Sequence, residues 1–261
     1  MPARQAERHL LVDLGNSSVK VGELPTDRTE SLVETVAAVA SLAPAFSGSP
    51  EALLDRDWGT RPIRWHLASV NPPAATRWSD RIAALRPDDS LRLLTRDDFP
   101  MPVEVRYPER LGLDRLAAAY AAALLKRPEA GAIVIDAGTA TTVDAVSADG
   151  RFLGGAILAS PALMLRSLAE HTRLLPKLDD RDAESPPESI GKDTEEALRS
   201  GAFWGQVGAV RMLIERHRRT LPNEIDLFLC GGIASGLEAF VSPPPRRLAG
   251  LVLAGIAAVV K

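Results

Sequence analysis

The apolar positions of this chain follow two periods. Short runs rich in branched residues, bounded by turn formers, read as strands: Leu10–Val12, Ser18–Leu24, Ile63–Val70, Leu91–Leu94, Ala132–Ile135, Val143–Val146, Arg151–Ile157 and Ile225–Leu229. Longer stretches with helical spacing alternate with them: Glu30–Val39, Ala74–Leu85, Leu111–Arg127, Pro161–Glu170, Thr194–Arg218 and a last helix after Pro243–Pro245. The clearest helix starts near Leu111 and carries Leu116, Ala119, Tyr120, Ala123 and Leu124 on one face. Asn71-Pro72-Pro73 breaks the chain after a strand, and Leu42–Pro50 and Leu178–Ser189 read as loops, the second a mobile surface segment. Strands mixed with helices at this spacing predict an α/β fold.

One pattern occurs twice. Asp13-Leu14-Gly15-Asn16-Ser17-Ser18-Val19-Lys20 follows Leu10-Leu11-Val12, and Asp136-Ala137-Gly138-Thr139-Ala140-Thr141-Thr142-Val143-Asp144 follows Ala132–Ile135. Each is a strand, Asp-x-Gly, small hydroxyl residues and a second apolar run. Glycine lets the backbone turn sharply and come close to a ligand. The N–H and hydroxyl groups of such a turn can donate to phosphate oxygens. The aspartate repels phosphate but can hold a cation that bridges to it, and Lys20 supplies a point charge. A single Asp-x-Gly is more often a plain turn. Two copies predict a duplicated fold that grips the phosphates of a nucleotide between its halves.

Composition narrows the classes. With 261 residues, 46% hydrophobic and 25% charged, the chain has ordinary globular composition. A net charge of −3 and dispersed basic residues give no footprint for nucleic acid. The lone Cys230 excludes an intrachain disulfide and a cysteine zinc site, and reads as a buried thiol at a strand end. His9, His66, His171 and His217 have no metal-ligand spacing. No secretory signal is visible, and the apolar tail Leu248–Val260 is too short to span a bilayer, so a cytoplasmic protein without membrane partners is expected. Glycines at 201, 205 and 208 would let another helix approach the long one closely, and packing of Trp204 against another subunit is expected.

Four ordered motifs carry a resemblance to the type III pantothenate kinases, of the actin-like/sugar-kinase superfamily. Asp13–Lys20 with Gly22 resembles the family's Asp-x-Gly-Asn-Thr-x-x-Lys-x-Gly motif, with Ser17 in place of Thr. Pro108–Arg115 is similar to Pro-x-x-Leu-Gly-x-Asp-Arg, and Asp136–Asp144 followed by Gly154-Gly155 to Asp-x-Gly-Thr-Ala-x-Thr-x-Asp. Gly191-Lys192-Asp193-Thr194 with Gly201 resembles a Gly-x-Asn-Thr helix start. There are departures. The family's aromatic residue before the Pro-x-x-Leu-Gly segment is Val105, with Tyr107 two positions displaced; its Pro-Gly is Ala159-Ser160; its Asn is Asp193.

The resemblance implies two duplicated ribonuclease-H-like domains with mixed sheets flanked by helices, divided into residues 1–115 and 116–261. It implies ATP-dependent phosphorylation of pantothenate, the first step toward coenzyme A, by a homodimer. Asp114 is then the general base; its other reading is a helix cap. Asp13, Leu14, Gly15, Asn16, Ser17, Ser18, Val19, Lys20 and Thr139 would bind ATP, and Asp13 a magnesium ion through water. Asp136 would hold a monovalent cation, potassium or ammonium. Gly112, Leu113, Asp114, Arg115 and Thr194 would bind pantothenate; Arg115 could equally be an ion-pair residue and Thr194 a cap. A nucleotide-binding accessory homologue with weak or no kinase activity stays open at this point, as does a kinase for another small hydroxyl substrate.

Overall fold

A computed structural model describes residues 8–16, 18–24, 31–41, 44, 46–48, 57–179, 185–221 and 223–260. The chain forms two compact units: Met1–Leu125 with Leu248–Lys261, and Lys126–Arg247.

In the first unit the middle strand is β1 (Arg8–Leu14), whose Leu10, Leu11, Val12 and Leu14 are wholly buried. A strand apolar on both faces must be covered on both. It pairs antiparallel with β2 (Val19–Glu23), which pairs in turn with β3 (Phe46–Gly48). On its other side run the parallel strands β4 (Ile63–Ser69) and β5 (Ser90–Leu93). One face of the sheet packs Leu10, Val12 and Leu14 with Trp58, Trp65 and Trp78 in edge-to-face contact. The Trp65 indole donates to Asp89 at 2.7 Å, so its polar edge is satisfied. Trp78 comes from α2 (Pro72–Leu85), where Asn71 accepts the Ala74 N–H at 3.1 Å and two prolines occupy positions that need no donor. The break at Asn71-Pro72-Pro73 is therefore also the start of a helix.

Three helices, α1 (Leu32–Ser41), α3 (Leu113–Leu125) and α7 (Leu251–Val260), pack on one another. Leu253 of α7 stands 3.1 Å from where a Cβ on Gly22 would be, and Gly22 pairs with Leu11. These helices thus cover the face opposite the tryptophans.

The second unit repeats the plan. Its strands are β6 (Gly131–Ala137), β7 (Ala140–Val146), β8 (Phe152–Ala159), β9 (Ile225–Cys230) and β10 (Arg246–Arg247). The order β8-β7-β6-β9-β10 matches β3-β2-β1-β4-β5, with the same two antiparallel and two parallel pairings. This is the expected pair of ribonuclease-H-like α/β halves. α4 (Pro161–His171) and α5 (Thr194–Arg218) pack together, and α5 lays Phe203, Val207, Val210 and Ile214 on the apolar face of β6. α6 (Ala234–Glu238) follows β9.

The observed units differ from a division at 115/116. That cut falls inside α3, and α7 joins the first unit, packing on α1 and α3. Order along the chain does not say to which sheet a final helix returns. β3 lies in the stretch expected to be a loop; three residues on a sheet edge are too few to show alternation. The five-residue α6 and two-residue β10 left no periodic signal for the same reason. Among the described residues no helix is long and apolar enough to cross a membrane.

Candidate active site

The first Asp-x-Gly motif is the turn of the β1–β2 hairpin. Asp13 and Lys20 are cross-strand partners, as are Leu14 and Val19. The Gly15 N–H donates to the Ser18 carbonyl at 3.0 Å, and a Cβ on Gly15 would stand 3.1 Å from that oxygen. The turn is tight because position 15 has no side chain. Leu14 and Val19 are fully buried, so only their backbone can meet a ligand; Asn16 is exposed, and Asp13, Ser18 and Lys20 are half-buried. Ser17 lies outside the described residues.

The end of β4 ties this turn to the helix that carries Asp114. The Leu14 carbonyl accepts the Val70 N–H at 3.3 Å and the Ser69 hydroxyl at 3.1 Å. Val70 Cγ1 in turn lies 3.4 Å from the Cβ position of Gly112. Gly112 opens α3, its carbonyl accepting the Leu116 N–H at 3.1 Å. A side chain there would come 2.5 Å from Asp114 Oδ1, so glycine makes room for the carboxylate. Asp114 Oδ1 accepts the Arg115 N–H at 2.7 Å. Asp114 is thus not the residue before the helix but lies in its first turn, where the helix dipole favours a negative charge. The motif turn and Asp114 both stand where the parallel strands β1 and β4 end at their carboxyl termini. In open α/β sheets that edge is the usual ligand side. Gly112, Leu113 and Arg115 are half-buried around it.

In the second unit Asp136 ends β6, with Thr142 of β7 as its cross-strand partner. Asp136 Oδ1 and Thr142 Oγ1 are both buried and without a hydrogen-bond partner. Gly138 N–H donates to the Ala140 carbonyl at 3.1 Å and closes the turn, leaving Thr139 exposed at its tip. Asp144, two residues beyond Thr142 on the same face, is buried and paired with Gly155 of β8. A Cβ on Gly155 would collide with Asp144 and the Val143 carbonyl, while Gly154 adopts φ +115° beside a bulge. The Gly-Gly pair therefore lets β8 close over an acidic strand. Thr142 was not among the sequence candidates, although strand alternation across the hairpin would have placed it beside Asp136.

Several expectations are revised. Asp193, not Thr194, caps α5: its carboxylate accepts the Glu196 N–H at 2.8 Å, and Thr194 is the exposed first residue of the helix. Gly112 occupies the cap position of α3, with Asp114 two residues inside the helix. Ser160 caps α4, accepting the Leu163 N–H at 3.2 Å. Trp204 packs within its own unit on Phe203 and Phe240 and donates to the Pro187 carbonyl at 3.1 Å. With the Ser200 hydroxyl on the Ser189 carbonyl at 2.8 Å, this ties the described end of the Leu178–Ser189 segment to α5. Cys230 is buried, as expected.

His9 and His66, with no spacing to link them, meet across β1 and β4 with their ring nitrogens 3.1 Å apart. Burial, together with His9, Arg92 and Arg64, pushes His66 down to about 4. Among the described residues no cluster of three or more His, Cys, Asp or Glu side chains could hold a metal ion. A cation here would need phosphate or water to complete its shell, as magnesium commonly does.

A family model described as type III pantothenate kinase matches residues 9–216. A type III pantothenate kinase of Rhodopirellula baltica is 33% identical, covering 87% of this chain and 88% of its own. One from Burkholderia lata is 33% identical over 96% and 94%, and one from Thermus thermophilus 31% over 88% and 89%. Among solved structures, an archaeal actin homologue at 12% identity covers 96% of this chain and 98% of its own with a TM-score of 0.45, too distant to bear on function.

Proposed function

The chain belongs to the type III pantothenate kinase family, an ATP-using phosphotransferase that acts on pantothenate in coenzyme A synthesis, and we propose that Asp114 is its general base. The observation that supports this is the linked end of β1, β4 and α3, which brings the Asp13–Lys20 turn and Asp114 to one edge of the first sheet. Asp114 takes the proton of the primary hydroxyl as that oxygen bonds to the γ-phosphorus. The bond from phosphorus to the β–γ bridging oxygen breaks, ADP leaves, and the carboxyl returns its proton to water. Such transfer needs positioning and charge neutralisation more than covalent help.

The backbone of Leu14, Gly15 and Val19, the side chains of Asn16 and Ser18, and Lys20 hold the phosphates; Ser17 and Thr139 are further ATP contacts. Gly112, Leu113 and Arg115 line the pantothenate site, and Thr194 is a further pantothenate contact. Asp13 fits a magnesium ion through water, because a half-buried carboxylate beside Lys20 suits a hydrated ion completed by phosphate. Asp136 fits a monovalent cation: its orphaned Oδ1, opposite the orphaned Thr142 hydroxyl, is an all-oxygen donor set. These cations supply neutralisation of phosphate charge. The reaction belongs in the cytoplasm, where ATP is available.

The homodimer is proposed to form through α5. Cβ atoms on Gly201, Gly205 and Gly208 would meet nothing within 4 Å, and Met212, next on the stripe, is 50% exposed. The helix is acidic in its first turn (Glu195, Glu196) and basic in its last (Arg216, His217, Arg218). Two copies of α5 packed antiparallel set acid against base and Met212 over Gly201. Sedimentation of Gly205→Gln is expected to show monomer where the wild type is a dimer; an unchanged dimer removes α5 as the interface.

The deciding assay is ADP release from ATP and magnesium, with and without pantothenate, in potassium and then sodium buffer. Asp114→Asn is expected to lower kcat by about 10²–10⁴ without lowering the melting temperature. Turnover that is absent, or indifferent to pantothenate, in the wild type would leave the accessory homologue or another acceptor instead.

A further inference from the structure

Arg8, Arg86 and Arg92 of the first unit are each tied to a carboxylate, Glu23, Asp89 and Asp98 respectively. Arg110 is held differently. Its guanidinium lies over the ring of Tyr107, 4.7 Å from the centroid. The Glu109 carboxylate is 3.8 Å away, outside hydrogen-bond distance. The Arg110 side chain is 76% exposed, and Tyr107 is 51% exposed. An aromatic ring left in water under a cation is an arrangement the backbone enforces here. Residues Pro108–Arg110 form a single 3₁₀ turn, with proline first and the Arg110 N–H on the Tyr107 carbonyl at 3.0 Å. That turn stacks residue 110 on residue 107 and leads directly into Gly112 and Asp114.

A guanidinium stacked on a ring keeps its N–H edge open. That edge matches a carboxylate with two parallel hydrogen bonds, and the stack has already fixed the plane. Pantothenate is a carboxylate whose charge lies at the far end from the hydroxyl that Asp114 deprotonates. Asp114 is four residues on from Arg110, at most about 14 Å of extended chain. We propose that Arg110, oriented by Tyr107, binds the substrate carboxylate and makes charge at that end a requirement for tight binding. This rests on the reading of pantothenate as substrate. It assigns the charge selectivity to a position outside the Leu-Gly-x-Asp-Arg motif, and it gives the displaced Tyr107 a task as a positioning residue.

The test compares pantothenate with pantothenol, the neutral alcohol that lacks the carboxylate. Arg110→Gln is expected to raise KM for pantothenate by about 10-fold or more, with kcat within about twofold and KM for pantothenol unchanged. Arg110→Lys should recover part of the loss, and Tyr107→Ala should raise KM for pantothenate about threefold. An unchanged KM for pantothenate in Arg110→Gln, or an equal rise for both substrates, overturns the proposal while wild-type turnover keeps the kinase reading. A wild type that fails to phosphorylate pantothenate overturns both.

Discussion

Gly255→Ala sets two effects of known sign against each other. Alanine in the middle of a helix is favoured over glycine by about 1 kcal/mol, so propensity alone predicts a more stable protein. The structure predicts the reverse. Gly255 of α7 sits on the backbone of α3, where a Cβ would come 2.5 Å from the carbonyl carbon and 2.8 Å from the Cα of Ala117, and closer still to its oxygen. Backbone atoms cannot rotate away. Bringing that oxygen out to about 3.0 Å means opening the helix crossing by about 1 Å. A gap of that size forfeits a quarter to a half of each dispersion contact, and roughly 40 atom pairs at about 0.15 kcal/mol make the loss about 1.5–3 kcal/mol, with about 1 kcal/mol of strain added. Net of propensity, the variant should be less stable by about 1.5–3 kcal/mol, a fall of about 4–10 °C in Tm. Ala117 lies one turn after Asp114, so kcat should fall as well, since a displacement of about 1 Å can cost up to 10²-fold. Thermal melts followed by circular dichroism, with kinase assays well below Tm, check both. A variant as stable as the wild type would refute the close packing of α3 and α7.

The His9–His66 pair predicts a loss of stability in acid. His66 is pushed down to about 4 in the folded protein, from near 6.5 when unfolded, so below about 6.5 the unfolded chain takes up a proton that the folded one refuses. Stability should fall by up to about 3 kcal/mol between pH 6.5 and 4, and His66→Phe should flatten that limb in urea melts. Asp193→Ala should cost about 1 kcal/mol through the lost α5 cap, whereas Asp193→Asn, which caps as well, should stay within about 0.5 kcal/mol. If Thr194 binds pantothenate, Asp193→Asn should also lower KM for that anion; a raised KM would count against a substrate site at this helix end.

The site was legible in unequal parts. Asp13, Gly15, Lys20 and Asp136 stand out as candidates because Asp-x-Gly after an apolar run is local: strand, turn and candidate ligand groups lie within one hairpin. Asp114 could be singled out only through its motif, since an aspartate in a first helical turn has an ordinary structural explanation. Thr142 escaped notice because nothing marks it until β6 and β7 are paired. Asp193 and Ser160 looked like departures from a substrate motif, and both are helix caps, a role that depends on where the helix begins rather than on the residue alone.

The sequence by itself determined the class of fold, its duplication and the chemistry of its turns. Hydrophobic period and turn residues act over a few neighbours, and that information is complete within each segment. Tertiary structure alone decided which segments meet. It returned α7 to the first unit, set Gly255 on Ala117, joined His9 to His66 across two strands, and linked Leu14 through Val70 to Gly112 so that Asp114 stands beside the first turn. Those contacts join residues far apart in the chain. They are chosen by the packing of whole faces, whose energies are sums over many weak contacts and leave no mark at any single position.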